Sequence, residues 1–138
     1  AQELVRHMNE HTLVILQIER RRAIDNIDEL LSVPGVDVAL IGPFDLTISL
    51  GEDSAGAPAV DAAIQKVVDS AKRNGLASGT HVGDTATVLD WHRRGMTMLT
   101  CNSDLGFFKA GAQQTLDTLR KGIGAAPAAE ERPTTVNV

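Results

Sequence analysis

Two carboxylates stand where apolar runs end. Glu19 closes "LVILQIE", and Asp45 follows the Gly42-Pro43 break in "VDVALIGPFDL". Gln17 and Glu19 are two residues apart, so on a strand both point to the same side. Should that side be the interior of a barrel, Glu19 lies beside the next strand, where Asp45 arrives from the adjoining loop. Two such carboxylates repel each other unless a cation lies between them. A hard divalent ion, Mg²⁺ or Mn²⁺, suits that need, because it takes oxygen ligands and keeps positions open for water and substrate.

Each residue also has a plainer use. Glu19 can pair with Arg20, Arg21 or Arg22 as a solvated ion pair. Asp45 can serve as a helix cap or turn residue, and Gln17 can satisfy backbone groups. Further along, Thr80 and His81 end a third apolar run, and Cys101, Asn102, Ser103 and Asp104 follow a fourth. His81 has no second His or Cys at metal spacing and reads as a core or rim histidine. His7, His11 and His92 read as helix-surface residues. Cys101 reads as a small buried hydrophobe. Ser103-Asp104 reads as a helix start whose amides could bind an anion. These residues admit a two-carboxylate metal site without naming a reaction.

Four apolar runs, each followed by a helical pattern, must position these groups. The expected strands are Thr12–Glu19, Val36–Gly42, Leu76–Val82 and Met96–Cys101. Behind the first, Ile24, Ile27, Leu30 and Leu31 fall at helical spacing until Pro34-Gly35 stops them. After a Gly-Pro loop, Pro58 opens a helix with Ala63, Ile64, Val67, Val68 and Ala71 on one face, closed by Asn74-Gly75. A third helix runs from an Asp84 cap to Gly95, and a fourth from Ser103 to Gly122. Apolar strands alternating with helices predict a parallel sheet covered on both faces. Two architectures accommodate that: an open doubly wound sheet, or half of a (β/α)₈ barrel, which needs about 250 residues when whole. The helix-like start at Ala1–Glu10, with no strand ahead of it, favours the half-barrel. Residues 1–122 are expected to form it, and 123–138, rich in Ala, Pro, Thr and Glu, to be a disordered tail.

The 138 residues allow one domain, and an apolar content of 43% allows a real core. A net charge of −5 with no basic run argues against a nucleic-acid partner. No stretch is long and apolar enough to span a membrane. The single cysteine excludes a disulfide framework, and a reducing cytoplasm is the expected location.

Three segments, "LVILQIE", "VPGVDVALIGPFDLTISLG" and "CNSDLGFFKAGA", resemble consecutive motifs of the HpcH/HpaI aldolases, the class II, metal-dependent pyruvate aldolases. The likeness runs from about residue 4 to about 120. It implies a (β/α)₈ barrel of which this chain carries the last four βα units. It implies Glu19 and Asp45 as the metal ligands for Mg²⁺ or Mn²⁺, with Gln17 beside them as the one catalytic candidate. Gly42, Pro43, Phe44 and Asp45 would bind substrate, the amides near Phe44 and Asp45 receiving its carboxylate. The implied reaction makes or cleaves a carbon–carbon bond of a 2-keto acid, through a metal-stabilised pyruvate enolate, with an aldehyde as the other reactant. The family's substrate-binding arginine and its histidine–aspartate pair fall before Ala1, so no residue here takes those roles. "TCNSD" stands where the family more often has a small residue and glycine before Ser-Asp, and Phe44 occupies a variable position. Two functional outcomes follow: an aldolase, or a half-barrel that acts only when assembled with a partner, as a homo-oligomer or with a complementing N-terminal half. Removing the last ~15 residues is expected to leave thermal stability unchanged; a marked drop in the unfolding midpoint would show that the tail is docked.

Overall fold

The computed structural model describes residues 1–124, so most of the expected tail, residues 125–138, lies outside the described residues. The chain forms two compact units, one from Ala1 to Asn102 and a second beginning at Ser103. The first contains α1 (Gln2–His11), β1 (Ile15–Ile18), α2 (Arg21–Asp25), α3 (Ile27–Leu31), β2 (Val38–Ile41), α4 (Pro43–Leu50), α5 (Pro58–Arg73), β3 (Ala77–Val82), α6 (Thr85–Arg93) and β4 (Met98–Cys101). The second contains α7 (Asp104–Gly122), whose cap is the Ser103 side chain accepting from the Gly106 amide.

All strand pairs are parallel, and the order is β1-β2-β3-β4. That order decides between the two architectures. A doubly wound sheet reverses direction at a switch point, whereas barrel strands follow one another around the sheet. Among the described residues β1 and β4 are the two edges.

One face of the sheet carries the core. Leu16, Ile18, Ala39 and Ile41 pack with Ile27 and Leu31 of α3 and with Val60, Ile64, Val67, Val68 and Ala71 of α5. Burying each of the larger aliphatic side chains stabilises the fold by roughly 1.5–3 kcal/mol. The alternate residues Ile15, Gln17 and Glu19 look the other way, as do Leu40 and His81. Gly79 belongs to that second set, and a Cβ there would fall 2.3 Å from the Met98 carbonyl oxygen. Only glycine lets β3 and β4 lie this close.

Three local expectations are corrected. The helix behind β1 divides at Asn26, whose backbone leaves helical geometry and whose side-chain amide donates to the Arg22 carbonyl. The Gly-Pro loop is in fact the start of α4. Pro43 occupies its first turn, and Gly51, left-handed at φ 75°, ends it by donating to Ile48 while Glu52 donates to Thr47. β1 is also shorter than its apolar run, because Val14 donates to the Asp37 carboxylate rather than to the ladder.

α6 is tied to α5 by one side chain. Arg94 donates to both carboxylate oxygens of Asp61, at 2.6 and 2.8 Å, and to Gln65 Oε1 at 3.1 Å. Its guanidinium lies 3.8 Å from the Trp91 ring centroid. The hydrogen bonds from Arg94 hold the Asp61 carboxyl below the ordinary value of 3.8. A depressed folded-state pKa gives stability that is full above the unfolded value and is lost as pH falls through the folded one. Asp61→Asn is therefore expected to lower stability at pH 7 by about 1 kcal/mol, the small end of the range because the pair is partly exposed. It should also flatten the decline between about pH 5 and pH 3. Urea midpoints at those pH values test this; a variant with the parent's acid sensitivity would contradict it.

Candidate functional site

The carboxyl ends of β1 and β2 carry the acidic residues. Gln17 pairs with Leu40 and Ile18 with Ile41, and the Gly42 amide donates to the Ile18 carbonyl at 3.1 Å. The ladder thus continues one residue past both strands and brings Glu19 alongside Gly42. A Cβ on Gly42 would meet Glu19 Oε2 at 3.1 Å, Glu19 Cβ at 3.2 Å and Gln17 Nε2 at 3.3 Å. Gln17 Nε2 in turn donates to Glu19 Oε2 at 2.6 Å. Gln17, Glu19 and Gly42 therefore form one packed group.

Asp45 sits in the first turn of α4, where the helix dipole favours negative charge. It does not cap: the N-cap is Gly42, with no side-chain cap bond. That leaves the first-turn amides of Phe44 and Asp45 without a side-chain cap from Gly42. Asp45 and Glu19 line the same cleft of about 230 Å³, together with Arg20, Ile48 and Ser49.

Neither plainer reading of the carboxylates is realised. No ion pair within 4.0 Å involves Glu19 or Asp45 among the described residues. Arg21 turns instead to α4, donating its backbone amide to Ser49 Oγ and a guanidinium N–H to the Leu50 carbonyl. What remains is a pair of carboxylates facing one cleft, with one oxygen of Glu19 steadied by Gln17. Such a donor set fits a hard cation that retains several waters. Among the described residues no group of three or more His, Cys, Asp or Glu is arranged to hold a metal.

The other sequence candidates lie apart from the cleft. His81 is at the carboxyl end of β3, and its Nε2 engages the Asn102 carbonyl at 2.7 Å. Cys101 is a half-buried free thiol. Asn102 has φ 60°, a left-handed backbone that asparagine tolerates better than most residues. Phe44 is 73% exposed and Ile48, one turn along α4, is 62% exposed. Ile48 gives the acidic cleft an apolar flank. Ile48 and Ser49 are not singled out in the sequence; for Ile48 the i, i+4 spacing of two large apolar residues in "PFDLTISL" is the available signal.

A sequentially wound parallel sheet with an acidic cleft at its carboxyl edge is the arrangement of a barrel-type enzyme site. The chain belongs to the HpcH/HpaI aldolase/citrate lyase family, whose model matches residues 1–110. A 5-keto-4-deoxy-D-glucarate aldolase of Escherichia fergusonii is 36% identical over 117 residues, 82% of this chain and 44% of that protein. A crystal structure of an HpcH/HpaI aldolase/citrate lyase family protein from Burkholderia cenocepacia J2315 superposes with a TM-score of 0.79 at 30% identity, over 86% of this chain and 47% of that one. The HpcH/HpaI aldolase from Desulfitobacterium hafniense DCB-2 gives 0.76 at 30% identity, over 91% and 49%. The chain thus spans about half the length of the relatives it matches.

Gly42→Ala tests the packing of the site without any ligand. The added methyl is expected to push the Gln17 amide off Glu19, shifting the Gln17 side-chain NH₂ resonances, at a stability loss of about 1 kcal/mol. Unmoved Gln17 resonances in the variant would show that the three residues are not packed as described.

Proposed function

We propose that this chain is the metal-holding portion of a class II aldolase or lyase acting on pyruvate or a related 2-keto acid with an aldehyde. The observation that carries the reading is the pair Glu19 and Asp45, facing one cleft and without ion-pair partners among the described residues, in a member of this family. These two residues would hold Mg²⁺ or Mn²⁺ through oxygen ligands. Bound there, the ion would supply Lewis-acid polarisation of the keto carbonyl, the charge sink that carbon–carbon cleavage or formation beside it requires.

The remaining roles belong to the chain. Gln17 has no titratable proton, so its part is to position Glu19 through their 2.6 Å hydrogen bond. The Phe44 and Asp45 amides, at the N-terminus of α4, offer donors to the substrate carboxylate. Gly42 and Pro43 keep the approach open, one by lacking a side chain and the other by lacking an N–H. Ile48, which lines the cleft, and Phe44, one turn before it on α4, would offer apolar surface to the second reactant. Proton transfer is assigned to no residue here: His81, whose Nε2 engages the Asn102 carbonyl, is not among the residues lining the cleft.

A second reading rests on the sheet edges. β1 and β4 each present an unpaired backbone row among the described residues, a strong drive to associate. On that reading catalysis appears only when a second copy or a complementary half-barrel joins them.

Both readings meet one experiment, a Mn²⁺ titration followed by electron spin resonance, with and without pyruvate. The parent is expected to bind, more tightly with pyruvate, and Glu19→Gln and Asp45→Asn each to abolish binding with the far-ultraviolet dichroism unchanged. A variant that binds as the parent does would remove that residue from the site. Binding that emerges only when a family N-terminal half is added in trans would favour the second reading.

A further inference from the structure

α1 carries a feature that the proposed function leaves unused. His7 and His11 are four residues apart in "RHMNEH", the spacing that puts two side chains on one helical face. Their rings lie 4.1 Å apart between centroids, with an interplanar angle of 32°. His11 Nδ1 lies 2.8 Å from the His7 carbonyl oxygen. That oxygen can only accept, so Nδ1 carries the proton and Nε2 of His11 is left with its lone pair outward. Metal-ligating histidines are held this way, one ring nitrogen donating to a backbone carbonyl while the other meets the ion.

We infer that His7 and His11 form a two-imidazole site on α1 for a borderline divalent cation of the Ni²⁺, Cu²⁺ or Zn²⁺ class. Two nitrogens each about 2.0–2.1 Å from one ion stand roughly 3 Å apart, a separation on the scale of the 4.1 Å between these two ring centroids. The same i, i+4 pairing on one helix face is how zinc helices of the His-Glu-x-x-His type present their ligands. Imidazole nitrogen selects these ions over Mg²⁺ and Mn²⁺, which prefer carboxylate and water. The site thus differs in ligand chemistry from the Glu19–Asp45 cleft and stands independently of the reading given to that cleft. α1 has no buried residue, so both rings are accessible. Of the charged residues on this helix, Arg6 and Glu10 are engaged with each other at 4.0 Å, and Glu3 stands four residues before His7 on the same face.

The test is a Ni²⁺ titration of the full 138-residue chain, by calorimetry and by paramagnetic broadening of the histidine side-chain resonances. The expected result is one ion at this site, broadening His7 and His11 together and ahead of His81 and His92. His7→Ala and His11→Ala should each weaken that binding at least about tenfold, as losing a ligand should outweigh losing an outer partner. Both variants place alanine in an exposed helix and should keep its helicity. The double variant Asn9→His/His11→Ala keeps the number of imidazoles but sets them two apart, on different faces, and should bind as poorly as His11→Ala. The double variant Glu19→Gln/Asp45→Asn should bind Ni²⁺ as the parent does. Equal affinity in either single alanine variant or in the respaced one, or loss of Ni²⁺ in the carboxylate variant, would overturn the proposal.

Discussion

The hydrogen bond from the Gly42 amide to the Ile18 carbonyl extends the β1–β2 ladder beyond the last residues of both strands. Everything at the acidic cleft depends on that extension. It sets Glu19 level with Gly42, and because strand side chains alternate, it puts Glu19 on the same side as Gln17. A shift of one residue would turn Gln17 and Glu19 into the helix layer and bring Ile18 out of it. The register is protected by the opposite face, where Leu16, Ile18, Ala39 and Ile41 are held by α3 and α5. The polar face is therefore aligned by apolar packing that it does not itself contribute.

The helix layer has its own anchor. α5 contributes the longest run of buried residues, and α6 is joined to it through Arg94, Asp61 and Gln65. No buried side-chain polar atom among the described residues lacks a partner. Thr80 donates to the Ile41 carbonyl and Thr100 to the Thr80 carbonyl, so hydroxyls lace β2, β3 and β4 alongside the backbone ladder. Polar satisfaction is thus complete where the described residues are buried, while Glu19 and Asp45, at the partly open cleft, have no cation within 4.0 Å among the described residues.

Much of this was legible in the residues. Strand–helix alternation, the shared side of Gln17 and Glu19, and the break at Gly42-Pro43 follow from periodicity and backbone chemistry. Strand order did not follow, because a doubly wound sheet and a barrel segment carry the same alternation; hydrogen-bonded neighbours decide it. α4 is hidden in the sequence because Gly-Pro is a turn signal unless Gly51, eight residues on from Pro43, is taken as the matching stop. Asn26 escaped for the opposite reason, since Ile24, Ile27 and Leu31 keep helical spacing across the break. Whether Glu19 would choose an arginine was not decidable from adjacency. Arg21 is drawn away by the carbonyl end of α4, an element absent from the sequence reading.

Gly79 bears on how the middle of the sheet acts on its carboxyl rim. The distance between β3 and β4 is set there by the absence of one methyl group, since any side chain would overlap the Met98 carbonyl. His81 stands two residues further along the same face, and its partner Asn102 lies at the end of β4. Spreading the strands at Gly79 would therefore separate a contact formed beyond it, much as loosening one tooth of a zip opens the next. The far rim of this sheet is governed by spacing in its middle, and a single added carbon there would be felt at a histidine it never touches.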